Sequence, residues 1–227
     1  MSDLIISFFA TDYESNFETG AYKTPPPADT TYVRDVWEQL QNTKIGKPVA
    51  VPLKKVDGKD VPDEDAFWPQ FDPVKDRHLM VRVSTVEKMS EWLNIFFSPM
   101  TRYPGDKAII QIVAGGKSGS LGLGAIWKAD VKPESPFWVF DSTPAALGLL
   151  LRFGANISRA VLAGCNVADA PESGSSAHGS VLLLALSLLW GCDVTGAIDL
   201  VAANQFNDQG LFAGPQRNWH YAIAGVR

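Results

Sequence analysis

Ile157-Ser158-Arg159-Ala160-Val161-Leu162-Ala163-Gly164-Cys165-Asn166-Val167-Ala168 is the stretch on which the reading of the fold turns. Its middle, Ala160 to Ala163, is short, apolar and uncharged, as a strand covered on both faces is. Gly164-Cys165-Asn166 then has the composition of a tight turn, and a helical pattern follows. Strand, turn and helix in that order belong to an open parallel sheet, whose ligands sit at the carboxyl ends of its strands. Cys165 is therefore the candidate reactive residue, a thiol presented where such a fold places chemistry. The bland alternative is a buried cysteine serving as a small apolar side chain.

Working outward, Leu4 to Ala10 (Leu-Ile-Ile-Ser-Phe-Phe-Ala), Leu79 to Val83, Lys107 to Val113 and Cys192 to Ala197 read as further strands, with a last one over Trp219 to Ala224. Val33, Val36, Trp37 and Leu40 keep helical spacing, as do Val86, Met89, Leu93, Phe96 and Phe97. Ser142-Thr143-Pro144 reads as a helix start for Ala145 to Phe153, ended by Gly154, and Ser180 to Trp190 as an apolar helix. Strands alternating with helices predict an α/β fold: an open, mostly parallel six-stranded sheet with helices on both faces. The continuous apolar character of Leu4 to Ala10, Lys107 to Val113 and Ala160 to Ala163 predicts that they lie side by side at its centre. Thr11 to Thr30 and Lys54 to Lys75 read as long loops, the second pinned by Phe67, Trp68 and Phe71. Ala114 to Ser120 reads as a flexible loop, and Leu121 to Gly124 with Phe137 to Phe140 as a small hairpin or edge strands. With no internal repeat, one domain over residues 1–227 is the simplest organisation.

Composition narrows the function classes. At 227 residues the chain can bury a large core, and 46% hydrophobic with 20% charged residues argues against wholesale disorder. A net charge of −5 without any Lys/Arg run argues against nucleic acid as a partner. The longest apolar run, Val181 to Trp190, is half of the ~20 residues that a membrane span needs. Met1 to Ala10 lacks the basic start and cleavage site of a signal peptide. A soluble, cytoplasmic protein is the expectation. Cys165 ends one strand and Cys192 begins the next, so a disulfide between them would have to cross roughly 17 Å of sheet. Both read as free thiols.

The order of helix, apolar strand, Gly164-Cys165-Asn166-Val167-Ala168, small-residue loop and apolar helix resembles the caspase-like (clan CD) cysteine peptidase fold. It is most similar to the caspase-like domains that open many large bacterial surface proteins. In those a strand ends in His-Gly and runs into Gly-Ser-Leu-x-Leu-Gly. Here Ile109 to Gly116 and Gly119-Ser120-Leu121-Gly122-Leu123-Gly124 follow the same pattern, and Gly214 with Trp219-His220-Tyr221 echoes a late motif. The resemblance covers about residues 78–225. It implies Cys165 as nucleophile and a cleft lined by Gly115, Gly116, Gly164 and Asn166. It also exposes a departure: the family's catalytic histidine falls on Gly115. A thiol of ordinary pKa is only a few per cent ionised at neutral pH, and a histidine base supplies both its activation and the leaving-group proton. Glycine does neither.

Three histidines remain. His78 precedes a strand and so falls on the wrong edge. His178 opens the helix after Cys165, where it either caps that helix or serves as a relocated base. His220 reaches Cys165 only if the last strand runs antiparallel. Gly115-Gly116-Lys117-Ser118 suggests a phosphate loop, but Gln111 stands where that motif needs glycine and no helix follows. Asp141, Asp193, Asp199 and Asp208 are candidates for gripping a basic side chain, with solvated carboxylates the commoner explanation. No cluster has metal-ligand spacing, and no cofactor is expected. Three function classes stay open: a pseudo-peptidase that binds or regulates through a protein or peptide ligand, an active cysteine hydrolase using Cys165 with His178 or with a base not identified in the sequence, and a structural or interaction module acting through its long loops.

Overall fold

Leu4–Ala10 (β1) has no polar face to turn to water, and all seven residues are buried. A strand of that kind needs partners on both edges and cover on both sides. In a computed structural model, which describes residues 3–10, 31–50, 53–62, 75–97, 107–123, 139–141, 144–169 and 178–221, it has both. His78–Val83 (β5) pairs with one edge and Ala108–Val113 (β6) with the other, each in parallel. Beyond β6 come Ile157–Ala163 (β10) and Asp193–Ala197 (β11), also parallel, then Gln216–Trp219 (β12), antiparallel. Lys47–Pro48 (β2) closes the far edge. The order is β12-β11-β10-β6-β1-β5-β2. The protein is thus α/β with a largely parallel sheet, and β10, β6 and β1 are neighbours at its centre, as expected.

The register sorts side chains onto two faces. Ser7, Phe9, Met80 and Gln111 share one, where the helix Thr31–Asn42 (α1) packs Trp37 edge-on against Phe9, ring centroids 5.1 Å apart. Phe8, Ile112, Leu162 and Gly196 share the other, where Leu183 of Gly179–Trp190 (α4) comes against Gly196. Val86–Phe96 (α2), capped by Thr85, joins that layer when Ser90 donates to the Leu149 carbonyl. Helices therefore cover both faces. From β1 the chain goes first to the β5 side and then crosses to β6, so the direction of winding reverses between β1 and β6, the strand next to β10.

Several expectations are corrected. The sheet has seven strands, not six, because the two-residue β2 adds an edge. Ala114 to Ser120 is not a loop: Gly115–Lys117 (β7) and Ser120–Gly122 (β8) form a hairpin, and Val139–Asp141 (β9) adds a third strand, which bears out the pairing foreseen for Leu121. Leu53–Val56 (β3) and Lys59–Pro62 (β4) make another hairpin inside the supposed 54–75 loop. Its turn is Asp57-Gly58, both with positive φ, the pair that two-residue hairpins favour. The helix foreseen over 145–153 is shorter, Pro144–Gly148 (α3), followed by a 3-10 segment over Leu151–Asn156. The last strand starts three residues early, at Gln216. The expectations for 11–30, and for Phe67, Trp68 and Phe71, lie outside the described residues.

Candidate functional site

Parallel pairing of β6 with β10 brings the ends of the two strands together, with Val113 opposite Ala163. Two residues on from Val113, Gly115 opens β7, buried; two on from Ala163, Cys165 sits in the turn. The contact between these segments is backbone on backbone. A Cβ on Gly116 would lie 2.7 Å from the carbonyl carbon of Gly164 and 2.9 Å from the Cys165 nitrogen. One on Gly164 would meet Leu121 at 2.0 Å and the Ala114 oxygen at 3.0 Å. Real Cβ atoms do not approach backbone as closely as one on Gly116 would, so glycine there is what lets the hairpin close on the turn, while at Gly164 the Leu121 side chain would have to move.

Further bonds fix that turn. Asn166 has φ +56, a left-handed conformation that asparagine tolerates better than most residues. Its N–H donates to the Asp199 carbonyl at 3.1 Å, and Ala168 N–H to Ala197 at 2.8 Å. From the hairpin, Gly119 N–H donates to Val167 at 2.9 Å and the Ser118 hydroxyl to Asp169 at 2.8 Å. The Tyr32 hydroxyl sits between the carbonyls of Ala114 (2.5 Å) and Ala163 (2.9 Å), bridging the two strand ends. Sequence reasoning passed over Tyr32, although an aromatic hydroxyl in the first turn of an amphipathic helix aimed at a sheet is a readable signal.

Cys165 itself is buried, and its Sγ accepts the Val201 N–H at 3.3 Å. The three imidazoles are engaged with other groups. His178 caps α4, with Nδ1 accepting the Ser180 N–H at 3.2 Å. That leaves the proton of the neutral ring on Nε2, so the basic nitrogen is the one spent on the cap. His220 follows the end of β12, and because β12 starts at Gln216 and runs antiparallel, it returns to the amino edge. There it bonds exposed Asp193 at 3.1 Å. The Asp193 carboxyl is held below its ordinary pKa, first by the Tyr221 N–H and then by His220. Asp193 is therefore at the wrong edge to serve Cys165. Asp208 is exposed beside Gln209, whose carbonyl meets His78, and so is remote as well, while Asp199 touches the turn through its backbone. The Asp141 side chain lies outside the described residues. Cys192, also free and buried, precedes β11; burial, then Asp193 beside it, pushes its thiol up to about 11.

The polar chemistry of the interior lies elsewhere. Ser7, His78 and Gln111 are buried in adjacent strands. Gln111 Nε2 donates to the Ser7 hydroxyl and to the Gly210 carbonyl, both at 2.9 Å, while its Oε1 accepts the Phe212 N–H at 2.8 Å. Ser7 Oγ lies 2.7 Å from His78 Nε2, and His78 Nδ1 lies 3.0 Å from the Gln209 carbonyl. A carbonyl only accepts, so Nδ1 carries the proton and Nε2 takes that of Ser7. Every member is satisfied by a neutral imidazole, and burial lowers the His78 pKa to about 4. The arrangement copies a serine–histidine dyad, yet Ser7 is fully buried in the middle of β1. It is a structural lock on the 207–212 loop. Among the described residues no group of three His, Cys, Asp or Glu side chains is placed to hold a metal, and no helix is long and apolar enough to cross a membrane. Compared with known families, curated proteins and solved structures, the chain matches none.

Proposed function

We propose that this chain is a caspase-like, catalytically silent pseudo-peptidase that works by binding a protein or peptide. The observation that carries the reading is the parallel β6–β10 pair, which sets Gly115 and Cys165 beyond the ends of neighbouring strands. That is where the resemblance requires base and nucleophile to face each other, and the base position is glycine. Two facts support silence. Cys165 is buried with its sulfur held by a backbone N–H, and the three imidazoles are bonded to Ser7 and Gln209, to Ser180, and to Asp193. An active hydrolase using His178 as base would require that ring to leave its cap.

Alkylation of Cys165 by iodoacetamide, followed by intact mass from neutral to alkaline pH, tests this. The expected result is slow labelling that rises only toward alkaline pH, unchanged in His178→Ala, with no hydrolysis of peptide substrates. Gly115→His is expected to raise neutral-pH labelling. Rapid labelling at neutral pH that His178→Ala abolishes would overturn the proposal and establish an active enzyme.

A further inference from the structure

Helix cover of the central strands is incomplete at the amino edge of the sheet. α1 stops at Asn42, and the chain turns away through Lys44, whose φ is +58. The Ile45 and Gly46 N–H groups both return to the Leu40 carbonyl at 3.1 Å. Beside that turn lies a cavity of about 420 Å³. Its floor is one row of the sheet, His78, Ile5 and Ile109, in register across β5, β1 and β6, and half-buried Ile45 forms a wall. Ile5 and Ile109 are each 7% exposed, whereas every other residue of β1 and β6 is at most 1% exposed. Where the two central strands reach the surface, they therefore present hydrocarbon.

The polar groups around this floor are already engaged. His78 has one ring nitrogen on Ser7 and the other on the Gln209 carbonyl, and the Gln209 N–H donates to Asn207 Oδ1 at 3.0 Å. Lys75 and Arg77, which also border the cavity, both have interactions within the protein, and Asp3 is exposed to water. A charged occupant would give up hydration over three isoleucines, and the lining charges are committed elsewhere. An uncharged one has little hydration to lose and covers apolar surface. Walls fixed by their own bonds further reduce what a small ligand loses on binding.

We infer that this cavity binds a small, uncharged, compact hydrocarbon, seated on Ile5 and Ile109 with Ile45 against its side. A dry apolar cavity of about 150 Å³ holds a benzene ring. The larger volume here suits a bigger aliphatic ring or a fused ring pair, with any hydroxyl turned to solvent. The site is separate from the proposed peptide-binding cleft. β6 is six residues long, which sets the two edges roughly 20 Å apart.

Isoleucine-methyl NMR of the full chain, titrated with cyclooctanol, tests the inference, with cyclooctanecarboxylate and cyclooctylamine as anionic and cationic analogues of similar shape. The alcohol is expected to bind saturably at about millimolar or tighter. It should shift the methyls of Ile5, Ile45 and Ile109 and leave those of Ile112, on the other face, and Ile198, at the carboxyl edge, in place. Both charged analogues are expected to bind about tenfold or more weakly, because each must shed water from its charge. Ile45→Trp, which fills the cavity from a half-buried turn position, is expected to abolish the Ile5 and Ile109 shifts while the methyl spectrum stays dispersed. If that variant fails to fold, the methyl map and the charge series in the wild type decide the matter. Overturning results are absence of saturable shifts, shifts at Ile112 or Ile198 in place of those at the cavity, a charged analogue that binds as tightly as the alcohol, or a folded Ile45→Trp that binds as the wild type does. None of these readings depends on Cys165.

Discussion

The two edges of this sheet are finished by opposite means. At the carboxyl edge, the hairpin and the Cys165 turn meet as bare backbone, with Gly116 against Gly164 and Cys165. At the amino side, His78, Ser7 and Gln111 form a side-chain lattice tied to the 207–212 loop. The first arrangement depends on missing atoms, the second on having every donor and acceptor matched. A cysteine is therefore not the marker of polar organisation here; His78, buried and held neutral, stands at the other end of the strands.

Breaking the lattice is expected to have the largest effect. Gln111→Leu leaves the Gly210 carbonyl and the Phe212 N–H without their partner and should cost about 4 kcal/mol, since each buried orphan costs about 1–3 kcal/mol. Urea denaturation measures it, and a loss under about 1 kcal/mol would show that the lattice is incidental.

Acid attacks the same lattice through His78. Its folded pKa of about 4 lies below the ordinary 6.5, so the unfolded chain takes up the proton first as pH falls. Stability is intact above pH 6.5 and declines toward pH 4, by roughly 3 kcal/mol for this one group. Denaturation midpoints over that window should move in wild type and flatten in His78→Gln.

Gly116→Ala sharpens the other side of the comparison. The added methyl meets backbone atoms, which yield less readily than side-chain ends, so a loss of about 2 kcal/mol is expected. Faster alkylation of Cys165 should accompany it as the hairpin is pushed off the turn. Tyr32→Phe should have the smallest effect, about 1 kcal/mol, because the Ala163 carbonyl keeps the Ala114 N–H when the hydroxyl is gone. Thermal unfolding resolves a change of that size.

The centre of the fold was legible because β1, β6 and β10 are apolar without alternation, which only doubly covered strands sustain. The stripe from Val33 to Leu40 was legible for the same kind of reason. The β7–β8 hairpin was not, since strands of three residues rich in glycine carry no periodic signal, and its pairing depends on contacts with the distant 164–169 segment. His220 was misplaced because a shift in where β12 begins moves a residue from one edge of the sheet to the other. The lattice left a trace that went unread: Ser7 and Gln111 are single polar residues inside otherwise apolar strands, and such residues need partners. Cys165 was correctly placed at a strand end, whereas its burial and its bond to Val201 come from a loop that the local sequence does not specify.

The position of β1 also shapes how the protein is made. Ser7 waits for Gln111, 104 residues later in the chain, and for His78, 71 residues later. At a synthesis rate of about 5–20 residues per second, that delay is roughly 5–20 s. Until β5 is made, Leu-Ile-Ile-Ser-Phe-Phe-Ala has neither of its partner strands, and it is a segment of high β-propensity and no charge, the kind that templates cross-strand assembly. The strand at the centre of the finished sheet is thus an aggregation hazard while it waits for its partners, since unpaired strand edges exposed during folding are aggregation-prone.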